Sequence, residues 1–278
     1  KISPSYVRAA VARHISEIMK FISEPSLTFV ISGLGGGVGS ALAPMVAEIS
    51  KGRGALTVGV AVMPFKFENS RHFYASVALK NLRRYTDAVI VIDNEGFYES
   101  EPGMPILDVF ALINEKVSLA LEKITSSSSE KEFTVGLSKL AYTIDQEGFS
   151  ILTVYSSTSL NTAEEAVAGA VQTIYRIAEP NKASRAILHL VGDIKLSTSD
   201  IATSVRRLND LLGGSLEINH GFTAEGNAHL TAILVASGFK GTKFDDYDPL
   251  SAVLDERQID DSSECAIDIE MPLLSSME

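Results

Sequence analysis

The chain has 278 residues, 45% of them hydrophobic and 21% charged, which is typical of one large globular domain or two smaller ones. Eleven acidic residues and one basic residue lie between positions 245 and 278, so −10 of the net charge of −11 belongs to this tail. The nearly neutral remainder and the acidic tail exclude nucleic-acid binding. No apolar run approaches the roughly 18 residues of a membrane-spanning helix, so we expect no direct membrane insertion. The single Cys265 forms no internal disulfide and favours a reducing cytoplasm.

Strand-like and helix-like segments alternate through the first half of the chain. Pro4 opens a predicted helix, and continuous apolar runs predict buried strands at 27–32, 55–63 and 88–92. A long amphipathic helix is predicted over residues 106–124. This repeated order predicts an α/β fold with a doubly wound, mostly parallel sheet.

The order of elements changes after an exposed connection at residues 126–129. Helices are predicted at 162–178 and 198–212, and strands at 149–155, 184–191, 215–222 and 228–237. The last two strands follow each other without a helix between them, so we expect them to be antiparallel neighbours. The predicted units are an α/β domain at 1–124, a connection at 125–148, a smaller α+β domain with a mixed sheet at 149–240, and the acidic tail at 241–278.

A glycine-rich segment, SGLGGGVGS at Ser32–Ser40, lies between the first buried strand and the helix that follows it. Glycines let the backbone approach a ligand closely, and the helix N-terminus favours an anion there. A tight turn with incidental glycines is the alternative. The dinucleotide pattern does not fit, because its spacing fails and Met63 and Pro64 end the next strand in place of an acidic residue. The P-loop pattern also fails, because no Lys-Ser or Lys-Thr pair follows the glycines.

The segment Gly35–Ala41 (GGGVGSA) resembles the GGGTG[ST]G signature of the tubulin/FtsZ superfamily. The next stretch, APMVAEISKGRGALTVGV, reads like an FtsZ sequence, and Leu234–Phe239 (LVASGF) resembles the closing strand of that family. The similarity covers residues 1 to about 240. It implies a divergent prokaryotic FtsZ-like protein that binds GTP or GDP, with or without Mg²⁺, and assembles head to tail with itself.

The same resemblance implies the residues of a nucleotide site, with no residue assigned to a metal. The phosphate loop would comprise Gly35, Gly36, Gly37, Val38, Gly39 and Ser40, and the other contacts would come from Glu68 at the ribose, Arg71, Asn94, Phe110 and Asn114. Phe110 and Asn114 are four residues apart on a predicted helix, so they share one face, where an aromatic ring and an amide suit a purine. Taken singly, Phe110 also suits a core position and Asn94 a turn.

Two departures from the family pattern concern phosphate binding. The opening strand and first phosphate loop, GGxGxN, have no counterpart, so we expect the domain at 1–124 to lack them. Val38 stands where the family has threonine, and Ala41 where it has glycine. A lost hydrogen bond to a charged group costs about 1.5–3 kcal/mol, so Val38 predicts weaker contacts to the terminal phosphate.

A third departure concerns hydrolysis, which the family performs with an NxDxxD loop inserted into the next subunit's site. Aligned with that loop, residues 136–145 have Lys139, Ala141 and Ile144 in place of the asparagine and the two aspartates. Asp145, one position late, is the one candidate catalytic residue. Loss of a general base lowers a rate by roughly 10²–10⁴, so hydrolysis is expected to be slow.

These observations favour a guanine-nucleotide-binding, filament-forming protein with weak or absent hydrolysis. An active FtsZ-like GTPase in cell division, and a nucleotide-free module that regulates another filament, are the alternatives. The acidic tail ends in an apolar cluster, Met271–Leu274 (MPLL), which loosely resembles FtsZ tails that bind an adaptor. A disordered, solubilising tail is the competing interpretation.

Overall fold

The computed structural model describes residues 4–22, 26–100, 103–126, 132–157, 163–179, 182–192, 196–225 and 230–247. Its strands are β1 (Leu27–Gly33), β2 (Leu56–Met63), β3 (Ala88–Asp93), β4 (Glu132–Phe133), β5 (Phe149–Ser156), β6 (Arg185–Gly192), β7 (Glu217–Ala224) and β8 (Thr231–Phe239). They form one sheet in the order β1-β2-β3-β5-β8-β6-β7-β4.

The α-helices cover both faces of this sheet. They are α1 (Pro4–Val11), α2 (Ile15–Phe21), α3 (Gly37–Gly52), α4 (Asn69–Tyr85), α5 (Asn94–Ser100), α6 (Ile106–Thr125), α7 (Gly136–Ile144), α8 (Ala163–Tyr175) and α9 (Thr198–Leu211). Short 3-10 helices also occur at Ala12–His14 and Lys243–Tyr247.

The first half of the sheet is parallel, as the apolar runs predict. β1, β2 and β3 pair in parallel, and β3 continues in parallel to β5 through Ile90 and Val91. Every residue of β3 is buried, because helices lie on both faces of the sheet. The predicted α/β class, with a mostly parallel sheet in the first part of the chain, is thereby confirmed.

The second half of the sheet corrects one prediction. β7 and β8 are not neighbours: β7 pairs in parallel with β6, whereas β8 lies between β5 and β6 and is antiparallel to both. The expectation of an antiparallel pair was wrong because β8 returns to the centre of the sheet. The apolar sequence of β8 suits that position, since seven of its nine residues are buried.

Two apolar cores hold the layers together. One lies between the sheet and helices α3, α4, α8 and α9, and the other lies between the sheet and helices α6 and α7. Adjacent residues of a strand alternate between the two cores, as Val91 and Ile92 do in β3. The same alternation therefore decides towards which face of the sheet a side chain at the end of a strand points.

The beginning of the predicted acidic tail is part of the fold. Residues 243–247 form a 3-10 helix, and Phe244 is fully buried against the core that contains α4 and α8. The tail boundary at 241 therefore falls too early. The remainder of the tail, with the cluster at 271–274, lies outside the described residues, as does most of the predicted connection at 126–129. No helix among the described residues is long and apolar enough to cross a membrane.

Candidate functional site

The glycine loop, residues 33–40, connects the carboxyl end of β1 to the N-terminus of α3. The loop amide of Gly35 donates to the buried Ser40 hydroxyl at 2.9 Å, so the Ser40 side chain holds the loop closed from inside. A Cβ on Gly39 would lie 2.2 Å from the Gly33 carbonyl oxygen, so this position requires glycine. Among the described residues, no side chain caps the first turn of α3, whose amides therefore form a place suited to an anion.

The glycine loop packs against the first turn of α4. Gly35 has a φ of +89°, and a Cβ there would lie 2.8 Å from the Cβ of Arg71. Arg71 Nη1 lies 2.6 Å from Glu68 Oε1, and the other Glu68 oxygen accepts a hydrogen bond from the Phe65 amide at 3.1 Å. Arg71 is half exposed, so it supplies positive charge beside the loop while remaining accessible to a ligand.

An aromatic cluster continues from this turn to helix α6. Phe65 is fully buried, and its ring stacks on Phe67 at 5.0 Å and meets Phe110 edge to face at 5.6 Å. Phe110 itself is 40% exposed, and Asn114 is exposed one helical turn further on. These two residues therefore form an accessible face rather than part of the core.

Three consecutive polar residues end β3 and begin α5. Asp93 Oδ1 accepts the Glu95 amide at 3.1 Å, and Glu95 Oε2 accepts the Lys66 amide at 2.9 Å. Between them, the Oδ1 atom of Asn94 is buried and has no hydrogen-bond partner among the described residues. A buried polar atom without a partner is costly unless a ligand supplies one, so Asn94 indicates a binding site.

Comparisons with known proteins identify similar sequences and folds. The sequence profile described as "Tubulin/FtsZ family, GTPase domain" matches residues 3–101. The chain is 29% identical over 240 residues to cell division protein FtsZ 1 of Methanocaldococcus jannaschii, covering 85% of the chain and 66% of that protein. It is 31% identical over 183 residues to FtsZ 1 of Pyrococcus woesei, covering 65% of the chain and 50% of that protein.

A solved structure of a mutant FtsZ from M. jannaschii superimposes with a TM-score of 0.76 at 28% identity, over 87% of this chain and 76% of that one. These matches in sequence and fold support membership of the tubulin/FtsZ superfamily. The GTPγS-bound protofilament of CetZ2 from Haloferax volcanii shares the fold, with a TM-score of 0.69 at 19% identity over 90% of this chain and 79% of that one. The chain spans half to two thirds of the length of the relatives it matches by sequence.

The residues that the family resemblance implies fall into two places. Most of them lie together at what we call the glycine edge, the edge of the sheet formed by the carboxyl ends of β1, β2 and β3 and their following turns. Asp145 does not, because it precedes β5, which runs parallel to β3. Asp145 is exposed at the opposite edge of the sheet, so it cannot serve the glycine loop of its own chain.

The stretch expected to be a catalytic loop is a helix. Residues 136–144 form α7, and Ile144 is buried in the core beneath α6. The expected loop conformation is therefore wrong, and position 144 could not present a carboxylate to a neighbouring molecule. Asp145 caps the carboxyl end of α7, where its carbonyl accepts a hydrogen bond from Arg185 at 3.3 Å and its side chain remains accessible.

Sequence reasoning missed three charged residues beside Asn94. Asp93 and Glu95 flank it and are buried, and the Lys243 ammonium contacts the Asp93 carboxylate from the far end of the chain. Burial raises the pKa of the Asp93 carboxyl above its ordinary value, and Lys243 offsets part of that rise. Two acidic residues at the end of a buried strand were a signal that could have been noticed. Among the described residues, no group of three potential ligands could hold a metal ion.

Proposed function

We propose that this chain binds a guanine nucleotide, GTP or GDP, at its glycine edge and assembles head to tail into cytoplasmic cytoskeletal filaments, with slow hydrolysis. The observation that carries the proposal is the Asn94 amide oxygen at the same edge as the glycine loop, which is buried and has no hydrogen-bond partner in the part of the chain that the structure describes. The glycine loop suits the phosphates of a nucleotide, and the Asn94 oxygen, which lacks a hydrogen-bond donor, suits the nucleoside end.

The phosphates would lie on the first turn of α3. Within the described ranges its amides have no side-chain cap, and Arg71 lies beside Gly35 with half of its side chain exposed. Val38 is 54% exposed in this turn and presents methyl groups where a hydroxyl could have donated. Mg²⁺ retains water and phosphate ligands, so it could accompany the nucleotide without a protein cluster of its own.

The base would lie against α6. Phe110 offers a partly exposed ring beside the Phe65 and Phe67 pair, and Asn114 offers an exposed amide on the same helix face. An amide both donates and accepts, which matches the adjacent donors and acceptor of guanine. The Asn94 oxygen would accept a hydrogen bond from the nucleotide, which would give this buried atom a partner.

The positions of the two edges support head-to-tail assembly. The glycine edge and Asp145 lie at opposite ends of the parallel strands, so stacking one copy on another would bring Asp145 of one towards the nucleotide of the next. Such a contact is heterologous and generates an open filament. The M. jannaschii FtsZ dimer and the CetZ2 protofilament are assemblies of related proteins.

A working GTPase is the second candidate, because Asp145 is exposed and one such carboxylate could orient water. The described part of α7 exposes Leu137, Lys139 and Tyr142 and carries no carboxylate of its own. A single carboxylate at the end of this helix is therefore a weak basis for rapid hydrolysis, and slow turnover remains the preferred proposal.

The test is competition between nucleotides for the purified wild-type protein. Labelled GDP should be displaced by unlabelled GTP, and ATP should displace it at least about tenfold less well, as expected when amide hydrogen bonds read the base. Asn114→Ala should reduce this preference. Replacement of an exposed amide on α8, Gln172→Ala, is the matched control and should leave it unchanged. Equal displacement by ATP and GTP would exclude the proposal.

A further inference from the structure

We infer that Lys243, which follows β8, is a positioning residue for the nucleotide site, because it holds Asp93 and thereby the turn that carries Asn94. The inference rests on the proposed function and adds a link between the C-terminal segment and nucleotide affinity. The segment concerned is residues 240–247, which we call the strap. It returns from the last strand of the mixed half of the sheet to the glycine edge.

The strap is fixed along its course by contacts with both halves of the molecule. The Lys243 amide donates to the Ile177 carbonyl beyond α8 at 2.8 Å, and the Thr242 amide donates to Asp245 Oδ2 at 2.7 Å. Phe244 is fully buried in the core that contains α4 and α8. This anchoring sets the backbone position of Lys243 independently of the nucleotide site.

The Lys243 ammonium reaches the end of β3. It contacts Asp93 Oδ2, and the Asp93 side chain is only 2% exposed, whereas Lys243 is 25% exposed. The other Asp93 oxygen accepts a hydrogen bond from the Glu95 amide at 3.1 Å, so this bond closes the turn around Asn94. One carboxylate thus connects the strap to both sides of Asn94. Without the cation, a buried carboxylate must take up a proton or turn towards water, and either change releases this turn.

A second contact joins the strap to the turn that carries the phosphate-side residues. The Tyr247 ring stacks on the His72 imidazole, with centroids 4.0 Å apart and planes 8° from parallel. His72 directly follows Arg71 in α4, and its Nε2 atom lies 3.0 Å from the Phe65 carbonyl oxygen. The strap therefore supports the glycine edge at two points, one beside Asn94 and one beside Arg71.

Lys243 can be changed without removing core packing. A cavity of about 300 Å³ opens beside it, lined by Lys66, Asp93, Glu95, Gly96, Arg176 and Lys243. The Lys243 side chain forms part of this wall, and the buried anchor of the strap is the neighbouring Phe244. Lys243→Met keeps the length and apolar stem of the side chain and removes only the charge.

The experiment measures GDP affinity and the amide hydrogen exchange of residues 93–97 in nucleotide-free protein. Lys243→Met should weaken GDP binding about five- to tenfold and speed this exchange, and Lys243→Arg should restore both to within about twofold of wild type. Lys51→Met is the matched control. It breaks the Lys51–Asp87 pair, 3.0 Å apart before the start of β3, and should change neither quantity.

Asp93→Asn provides a second route to the same result. It should weaken GDP binding as much as Lys243→Met does, and the double variant should be no weaker than either single one, because both changes remove one interaction. Unchanged exchange at residues 93–97 in Lys243→Met overturns the inference even if wild type binds no nucleotide. Wild-type GDP binding with equal affinities in Lys243→Met and Lys51→Met also overturns it, and leaves the proposed function intact.

Discussion

The glycine edge and the opposite edge of the sheet differ in how completely one chain builds them. At the glycine edge, loop, turn and helix contact one another within the chain through Gly35, Arg71, Glu68, Phe65 and Phe110. At the opposite edge, Asp145 is an accessible carboxylate at the end of α7, a helix that carries no carboxylate itself. In the proposed filament, nucleotide binding needs only the glycine edge, whereas hydrolysis needs both edges. The two properties can therefore be lost separately.

The largest effect is expected from breaking the glycine edge itself. A Cβ in Gly39→Ala would lie 2.2 Å from the Gly33 carbonyl oxygen and 2.6 Å from Ser32 Oγ, so the loop must move. Losing two hydrogen bonds to phosphate at about 1.5–3 kcal/mol each predicts about 100-fold weaker GDP binding or more.

The control for this substitution lies at the other end of the same helix. A Cβ on Gly52 meets no atom within 4 Å, so Gly52→Ala should bind GDP as wild type does. Fluorescence titration with labelled GDP measures both variants. Equal affinities for Gly39→Ala and wild type would show that the nucleotide does not depend on this loop.

A smaller effect is expected at the opposite edge, and it should concern assembly rather than GDP binding. Asp145→Lys reverses an exposed charge, which predicts a critical concentration about two- to fivefold higher and GDP affinity unchanged. Because its glycine edge is intact, the variant should also cap wild-type filaments at substoichiometric amounts.

Sedimentation at increasing protein concentration measures this effect. Asp210→Lys, an exposed charge reversal on α9, is the matched control and should assemble as wild type does. If the two variants assemble equally well, the opposite edge takes no part in the contact between subunits.

The smallest effect concerns the pH dependence of stability, and it tests whether the strap lies against the glycine edge. Burial, together with the nearby Asp93 and Glu95 carboxylates, raises the pKa of Tyr247 to about 12 from an ordinary 10.0. Between these two values the folded state retains a proton that the unfolded chain has lost, so stability falls as pH rises. Tyr247→Phe should show a shallower fall above about pH 10, measured by urea unfolding. An identical slope in the variant would place Tyr247 away from these carboxylates.

Much of the parallel half was predictable from the sequence, because a strand covered on both faces is an uninterrupted apolar run. The runs at 27–32, 55–63 and 88–92 each match an observed strand within one or two residues. The glycine loop was also placed correctly, since glycines between such a strand and a helix have a direct physical role. That the residues around the loop contact a nucleotide remains a prediction.

The errors arise where pairing depends on distant parts of the chain. β8 enters the sheet between β5 and β6. The absence of a helix between β7 and β8 in the sequence does not determine that position. The contact between Lys243 and Asp93 joins residues 150 positions apart, and no local pattern signals it. The helical conformation of residues 136–144 was obscured because an expected loop was aligned over an amphipathic segment whose buried side includes Leu140 and Ile144.

The most direct test of the account is the identity of the nucleotide bound to assembled protein. Protein loaded with labelled GTP is assembled, and the bound nucleotide is extracted and separated at successive times. The account predicts that guanine nucleotide is retained and that most of it is still GTP after many seconds, because α7 carries no carboxylate of its own. Conversion to GDP at about 1 s⁻¹ or faster, or assembled protein that holds no guanine nucleotide, would contradict it.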